Sequence, residues 1–183
     1  MLSATNEEKI RKEWLETPML TPKVRKVTVN ISLGQSGEPL EKAGKVLQQL
    51  TGQKPVKRKA KRTNRDFGIR KGEPISCIVT LRKEKAMEFL RKALQAVDNR
   101  IPESSFDKMG NFSFGIKEHI EIPGTKYMPD LGIFGMDISV TLGRAGYRVK
   151  ERKRAESSIG KDHLLGSEDA IVFVKDALGV DIT

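Results

Sequence analysis

From Val24 to Gly34 the stretch VRKVTVNISLG alternates cleanly: Val27, Val29, Ile31 and Leu33 fall on one side, Thr28, Asn30 and Ser32 on the other. A period of two with one apolar side describes a half-buried strand. PISCIVTL, from Pro74, repeats the pattern, with Ile75, Cys77, Val79 and Leu81 against Ser76, Ile78 and Thr80. MDISVTL shows it most clearly and places Met136, Ile138, Val140 and Leu142 inside. Elsewhere the spacing is helical. Leu40, Ala43, Leu47 and Leu50 form the stripe of a helix that stops at Gly52, and Met87, Leu90, Leu94 and Val97 mark another beginning near Glu84. Thr5-Asn6-Glu7-Glu8 has capping-box spacing, so Ile10 and Trp14 predict an N-terminal helix over 5–16, ended by Pro18 and Pro22. A last helix is expected from about Ser167, with Glu168 and Asp169 in its electropositive first turn, and then a short strand over Val180–Ile182. NFSFGIKEHIEI reads as a strand with imperfect alternation. Arg100–Gly110 and GTKYMPDLG read as loops.

Strands joined by hairpin-like loops in some places and by helices in others predict an α+β fold: a mostly antiparallel sheet, helices packed on one face, and a protruding basic loop over about 54–72. At 183 residues, without repeats or a low-complexity linker, residues 1–183 fit a single domain.

Charge then changes the picture. The formal net charge is +10 and the sequence pI about 9.7, which points to a polyanionic partner. Between Thr51 and Gly72 lie Lys54, Lys57, Arg58, Lys59, Lys61, Arg62, Arg65, Arg70 and Lys71, opposed only by Asp66. A solvated helical face would alternate signs, and this run does not. Pro55, Gly68 and Gly72 break regular structure around it. A membrane-surface protein would carry such residues on an amphipathic helix beside bulky apolar ones, so nucleic acid is the better partner. Cys77 is the sole cysteine, no apolar run resembles a signal peptide or a membrane span, and a cytoplasmic protein is expected. On that reading the triplets Asn30-Ile31-Ser32 and Asn111-Phe112-Ser113 are chance glycosylation matches.

Enzyme signals are poor. His119 and His163 have no cysteine or carboxylate at metal-ligand spacing. Gly160-Lys161 fails as a phosphate loop, because Ala155 stands at the first glycine position and Asp162 where Ser or Thr would bind magnesium. Gly34 to Gly37 is a turn, and Cys77 on its apolar strand side is a small core residue. Phe112 and Phe114, two apart, could stack on bases, but core packing suits them better. No cofactor, no metal and no catalysis are expected; the rival reading is a free-standing RNA-processing or tRNA-modifying enzyme.

If the strand through Asn30 pairs with the strand through Thr80, then Thr28, Asn30, Ser32, Ser76 and Thr80 share one open face. Short hydrogen-bonding side chains there could meet sugar hydroxyls and base edges while basic segments hold phosphates. Phe67, set among the charges, adds a surface for base stacking.

VNISLG, TGQKP, DFGIRKGEPISCIVTLR, FDKMGNFSFGIKEHI and GMDISVTL occur in this order, and as an ordered set they are specific. From about Pro22 to Arg154 the chain closely resembles the large-subunit ribosomal protein family, numbered five, that binds 5S ribosomal RNA. IEIPGTKYMPDLGIFG and the ending GYRVKERKR to IGKDH look like its archaeal and eukaryotic branch. The resemblance implies a structural protein of the central protuberance that anchors 5S rRNA, with large-subunit rRNA and neighbouring ribosomal proteins as further partners and no membrane. It implies 5S contacts at Asn30, Gln53, Phe67, Arg70 and Thr80. It also implies that the loop carrying Lys57, Arg58, Lys59, Lys61, Arg62 and Arg65 reaches toward P-site tRNA.

Overall fold

In a computed structural model that describes residues 4–183, with side chains from Asn6 onward, the expected α+β architecture is present. Helix α1 covers Ala4–Glu16, as the spacing of Ile10 and Trp14 predicts; the Thr5 side chain of the expected cap lies outside the described residues. Then come β1 (Lys23–Ser32), α2 (Glu38–Thr51), β2 (Val56–Lys59), β3 (Pro74–Leu81) and α3 (Lys83–Gln95). They are followed by β4 (Arg100–Ile101), β5 (Phe112–Ile116), β6 (Met136–Gly143), α4 (Ser167–Leu178) and β7 (Asp181–Ile182). Five strands form one sheet in the order β2-β3-β1-β6-β5, and β4 with β7 forms a separate parallel pair.

The chain gathers into two compact units, each assembled from separate segments. One comprises Val27–Asp98 and Phe114–Ser139; the other comprises residues through Lys26, Asn99–Ser113 and Val140–Thr183. In the first, alternation puts Val27, Val29 and Ile31 of β1 and Cys77, Val79 and Leu81 of β3 into the core. Helix α2 adds Leu40, Ala43, Val46 and Leu47, and α3 adds Ala86, Phe89, Leu90, Ala93 and Leu94. Truncating a fully buried leucine such as Leu47 costs about 2–5 kcal/mol through lost transfer energy and the cavity left behind. At Gly44 helix α2 lies close against β3: a Cβ there would sit 3.7 Å from Cys77 Sγ and 3.7 Å from Pro55. Helix α2 stops where expected, because Gly52 takes the left-handed conformation (φ 63°) and its N–H closes on Gln48 O at 2.9 Å.

In the second unit, α4 buries Ala170, Ile171, Val172 and Val174, and α1 is tied to it by ion pairs of Arg11 with Asp176 and of Glu7 with Lys175. The parallel pairing of β4 with β7 secures the chain's last residues, with the Thr183 N–H donating to Ile101 O at 3.2 Å.

Three expectations need amendment. The segment from Arg100, expected as loop, holds β4, because a two-residue strand leaves no periodic trace. The strand expected over NFSFGIKEHIEI ends at Ile116, and the chain turns through a short 3-10 segment, His119–Glu121. The basic stretch is not all loop: Val56–Lys59 is an edge strand on β3. Its four residues are all exposed, so no hydrophobic alternation betrays it, and dense positive charge is a usual guard on a free sheet edge.

Candidate nucleic-acid interface

The register of β1 on β3 sets Thr28 opposite Thr80, Asn30 opposite Ile78 and Ser32 opposite Ser76. Strand β2 extends these rows, with Val56 opposite Ile78 and Arg58 opposite Ser76. Side chains alternate across strands, so all of these point away from the core. The pairing that the open-face reading required is therefore present. Thr80 and Ser32 are exposed, whereas Thr28 and Asn30 are half-buried. Ser76 departs from the expected open surface: with neighbours on both sides in the sheet it is only 8% exposed. Among the described residues neither the Asn30 amide nor the Thr80 hydroxyl has a side-chain partner, so both keep full donor and acceptor capacity. Val56 (58% exposed) joins Ile78, which alternation places on this face, in an apolar strip beside Asn30; Val56 itself left no trace in the pattern.

Beyond Lys59 the chain forms an ordered hairpin. The Ala60 N–H donates to Glu73 O at 2.8 Å, and the Gly72 N–H donates to Ala60 O at 2.9 Å. Further out, Asn64 and Ile69 exchange backbone bonds of 2.8 and 2.9 Å. The end is the turn Arg65–Gly68, closed by Gly68 N–H to Arg65 O at 3.1 Å, with Gly68 at φ 65°. Asn64 Oδ1 accepts from the Asp66 N–H, an Asx turn that fixes the tip. Glu73 clamps the base: its carboxylate accepts from Ser36 Oγ at 2.6 Å and from the Arg70 N–H at 3.1 Å. These bonds, the Ser36 hydroxyl foremost, hold its carboxyl below the usual range.

The residues singled out in the sequence sort onto this geometry. Asn30 and Thr80 share the open face with Arg58. Gln53 follows the α2 terminus, half-buried, its backbone held by the Thr51 hydroxyl. Lys57 lies on the opposite face and ion-pairs with Glu41 of α2. Lys59 closes the strand, and Lys61, Arg62 and Arg65 climb the hairpin, all exposed. Phe67 sits at the hairpin end beside Arg65, 75% exposed, and Arg70 returns along the far arm. So Lys57 and Arg58, adjacent in sequence, present to different surroundings.

The other candidates have plain structural roles. Phe112 is buried, its ring 5.2 Å from that of Phe106. Cys77 is buried, its Sγ directed at Leu40 O, and desolvation pushes the thiol pKa up, which keeps it inert. His119 is buried with Nδ1 accepting from the Phe134 N–H, and burial lowers its pKa so the ring is neutral. The His163 ring meets Ala145 O at 2.7 Å. A cavity of about 380 Å³ beside His119 is lined also by Val46, Phe89 and Met128, and no carboxylate or cysteine is among its lining residues. No helix among the described residues is long and apolar enough to cross a membrane.

An open polar sheet face and a basic hairpin with an aromatic tip are the arrangement of a polyanion-binding protein. Residues 17–70 match the family model described as Ribosomal protein L5, and residues 74–173 match the model for the C-terminus of the same ribosomal family. The chain is 55% identical over 169 residues to the Large ribosomal subunit protein uL5 of Aeropyrum pernix, a match covering 92% of this chain and 88% of that one. It is 53% identical to the protein of that name from Pyrobaculum aerophilum (90% and 92% covered) and 47% identical to that from Methanococcus maripaludis (92% and 95%). The chain belongs to the ribosomal protein L5 family. It is thus a structural ribosomal protein that binds ribosomal RNA, and the enzyme reading is set aside.

Proposed function

We propose that the chain is a structural constituent of the large ribosomal subunit that anchors 5S rRNA in the central protuberance, while its basic hairpin contacts P-site tRNA. The large-subunit part has the support of the relatives' names. The 5S part rests on one observation above all. The register brings Asn30 and Thr80, each with an unused side chain, onto one face bordered by Arg58 and by the root of the hairpin. Arg70 supplies phosphate contacts, Asn30, Gln53 and Thr80 supply hydrogen bonds to sugars and bases, and Phe67 supplies a stacking ring; Arg58, expected in the tRNA-contacting loop, borders this face and so suits a 5S phosphate instead. Lys61, Arg62 and Arg65, on a hairpin that extends beyond the sheet, suit contact with a tRNA backbone irrespective of its sequence. Lys57 and Lys59 lie at its root, where Lys57 also holds α2 through Glu41.

The test is sedimentation of tagged protein through sucrose at low and moderate salt, together with binding to a 5S rRNA transcript. Co-migration with large subunits and tighter binding to 5S rRNA than to an unrelated RNA of equal length are expected. If the protein remains at the top of the gradient and shows no preference for 5S rRNA, the reading fails.

A further inference from the structure

The basic segment GYRVKERKR, residues 146–154, plays no part in the interface just described, and it lies in the other compact unit. It leaves β6 through a short 3-10 turn, Tyr147–Lys150, and is held from several sides. Arg144 is buried; its guanidinium donates to Leu20 O (2.7 Å) and Leu164 O (3.0 Å) and pairs with Asp169 (2.9 Å). The Tyr147 hydroxyl accepts from the Leu165 N–H at 2.7 Å. Arg25 grips Glu151 with two bonds of 2.7 and 2.8 Å. Gly143 leaves room for this, since a Cβ there would lie 2.5 Å from Arg25 Cδ. The run then folds back. The Ser157 N–H donates to Val149 O, Arg152 Nε donates to Ala155 O, and Ala155 occupies the left-handed region at φ 51°. A non-glycine residue stays there only where its surroundings hold it.

Those anchors consume Glu151, the acid in the middle of the run. Arg148, Lys150, Lys153, Arg154 and Lys161 are exposed and have no carboxylate partner among the described residues. Three lysines elsewhere, by contrast, are paired within the chain: Lys42 with Glu38, Lys92 with Glu88 and Lys57 with Glu41. A fixed, unneutralised array of cations is the electrostatic footprint of a polyanion. Its apolar members Val149 and Ile159 are half-buried, and no large exposed apolar side chain lies within it. That disfavours a lipid surface, which needs an apolar anchor, and a protein interface, which needs an apolar centre.

We propose that residues 147–161 form a second RNA-backbone contact, with Arg148, Lys150, Lys153, Arg154 and Lys161 binding phosphate oxygens of 5S rRNA or of large-subunit rRNA. The choice of RNA as polyanion rests on the proposed function; the site itself rests on the geometry of this segment.

The experiment uses the full chain with two probes, a 5S rRNA transcript and a large-subunit rRNA transcript, over a salt series. One variant carries Arg148→Ala, Lys150→Ala, Lys153→Ala and Arg154→Ala; another carries Arg58→Ala, Phe67→Ala and Arg70→Ala. Each phosphate that is no longer neutralised takes about 0.7–0.9 from the slope of log affinity against log salt. Four such phosphates thus lower the slope by about 3 and the affinity at physiological salt on the order of 100-fold, for whichever probe the segment holds. Melting of the first variant should match the parent, because the four side chains are exposed. If that variant binds both probes with parental affinity and slope, the segment does not touch RNA, whatever the second variant does. Abolished capture of phosphatidylserine vesicles with RNA binding intact would reassign it to a membrane. If the first variant alone weakens binding, the segment stands and the sheet-face interface falls. If the unmodified chain binds neither probe, both fail.

Discussion

Replacing Arg144 with alanine tests the anchor of the second basic segment. Only 5% of its side chain is exposed, against 18% for Asp169. The substitution leaves that carboxylate without its cation and the carbonyls of Leu20 and Leu164 without their donor. Breaking a buried pair by removing one partner costs about 3–5 kcal/mol, because the remaining charge is desolvated and uncompensated. Asp169 retains some water and its bond from the Gly166 N–H, so the low end, about 3 kcal/mol, is expected. For a chain of this size that corresponds to a melting temperature lower by roughly 6–12 °C. Urea unfolding with thermal melting measures both quantities. Arg148→Ala, an exposed control nearby, should change stability by less than about 0.5 kcal/mol. A loss below about 1 kcal/mol for Arg144→Ala would refute the reasoning, since it would mean that water replaces the guanidinium at all three of its partners almost without cost.

Asn30→Ala or Thr80→Ala should each weaken 5S rRNA binding by about 1 kcal/mol, close to fivefold, with melting nearly unchanged, as filter binding and calorimetry will show. Lys61→Ala, Arg62→Ala and Arg65→Ala combined should leave 5S affinity largely intact and raise tRNA dissociation from the P site of reconstituted ribosomes several-fold, for tRNAs of any sequence. His119 is buried neutral with a lowered pKa, so the unfolded chain binds its proton more readily than the folded one. Its contribution to stability is complete above the ordinary histidine pKa of 6.5 and is lost as pH falls from there through the depressed folded value; urea midpoints against pH should show this slope, and His119→Gln should remove it.

Much of the fold could be read in advance because its strands are amphipathic. Val27, Val29 and Ile31, or Met136, Ile138 and Val140, leave few alternatives to a one-sided sheet. The pairing of the strand through Asn30 with the strand through Thr80 stood open in the sequence, because alternation sets which side is buried and not which strands are neighbours; the structure supplies it, with Thr28 opposite Thr80. What escaped was structure that hydrophobic periodicity does not encode. Strand β2 is made of exposed, mostly charged residues, and its pairing depends on backbone bonds to β3 rather than on burial. Strand β4 has two residues, too few to leave a period. Lys57 reads as a member of the basic stretch yet pairs with Glu41, and Arg144 is buried against Asp169 with no trace of that partner in its own neighbourhood of the sequence. A charge count registers sign and density but not partners distant in sequence.

Photocrosslinking of the chain to 5S rRNA, followed by mapping of the modified peptides, tests the central claim most directly. The proposed interface predicts adducts on Asn30, Gln53, Phe67, Arg70 and Thr80, and none on the α2 and α3 lysines Lys42, Lys45, Lys85 and Lys92. Adducts confined to those helical lysines, with the β1–β3 face and the hairpin unmodified, would contradict it.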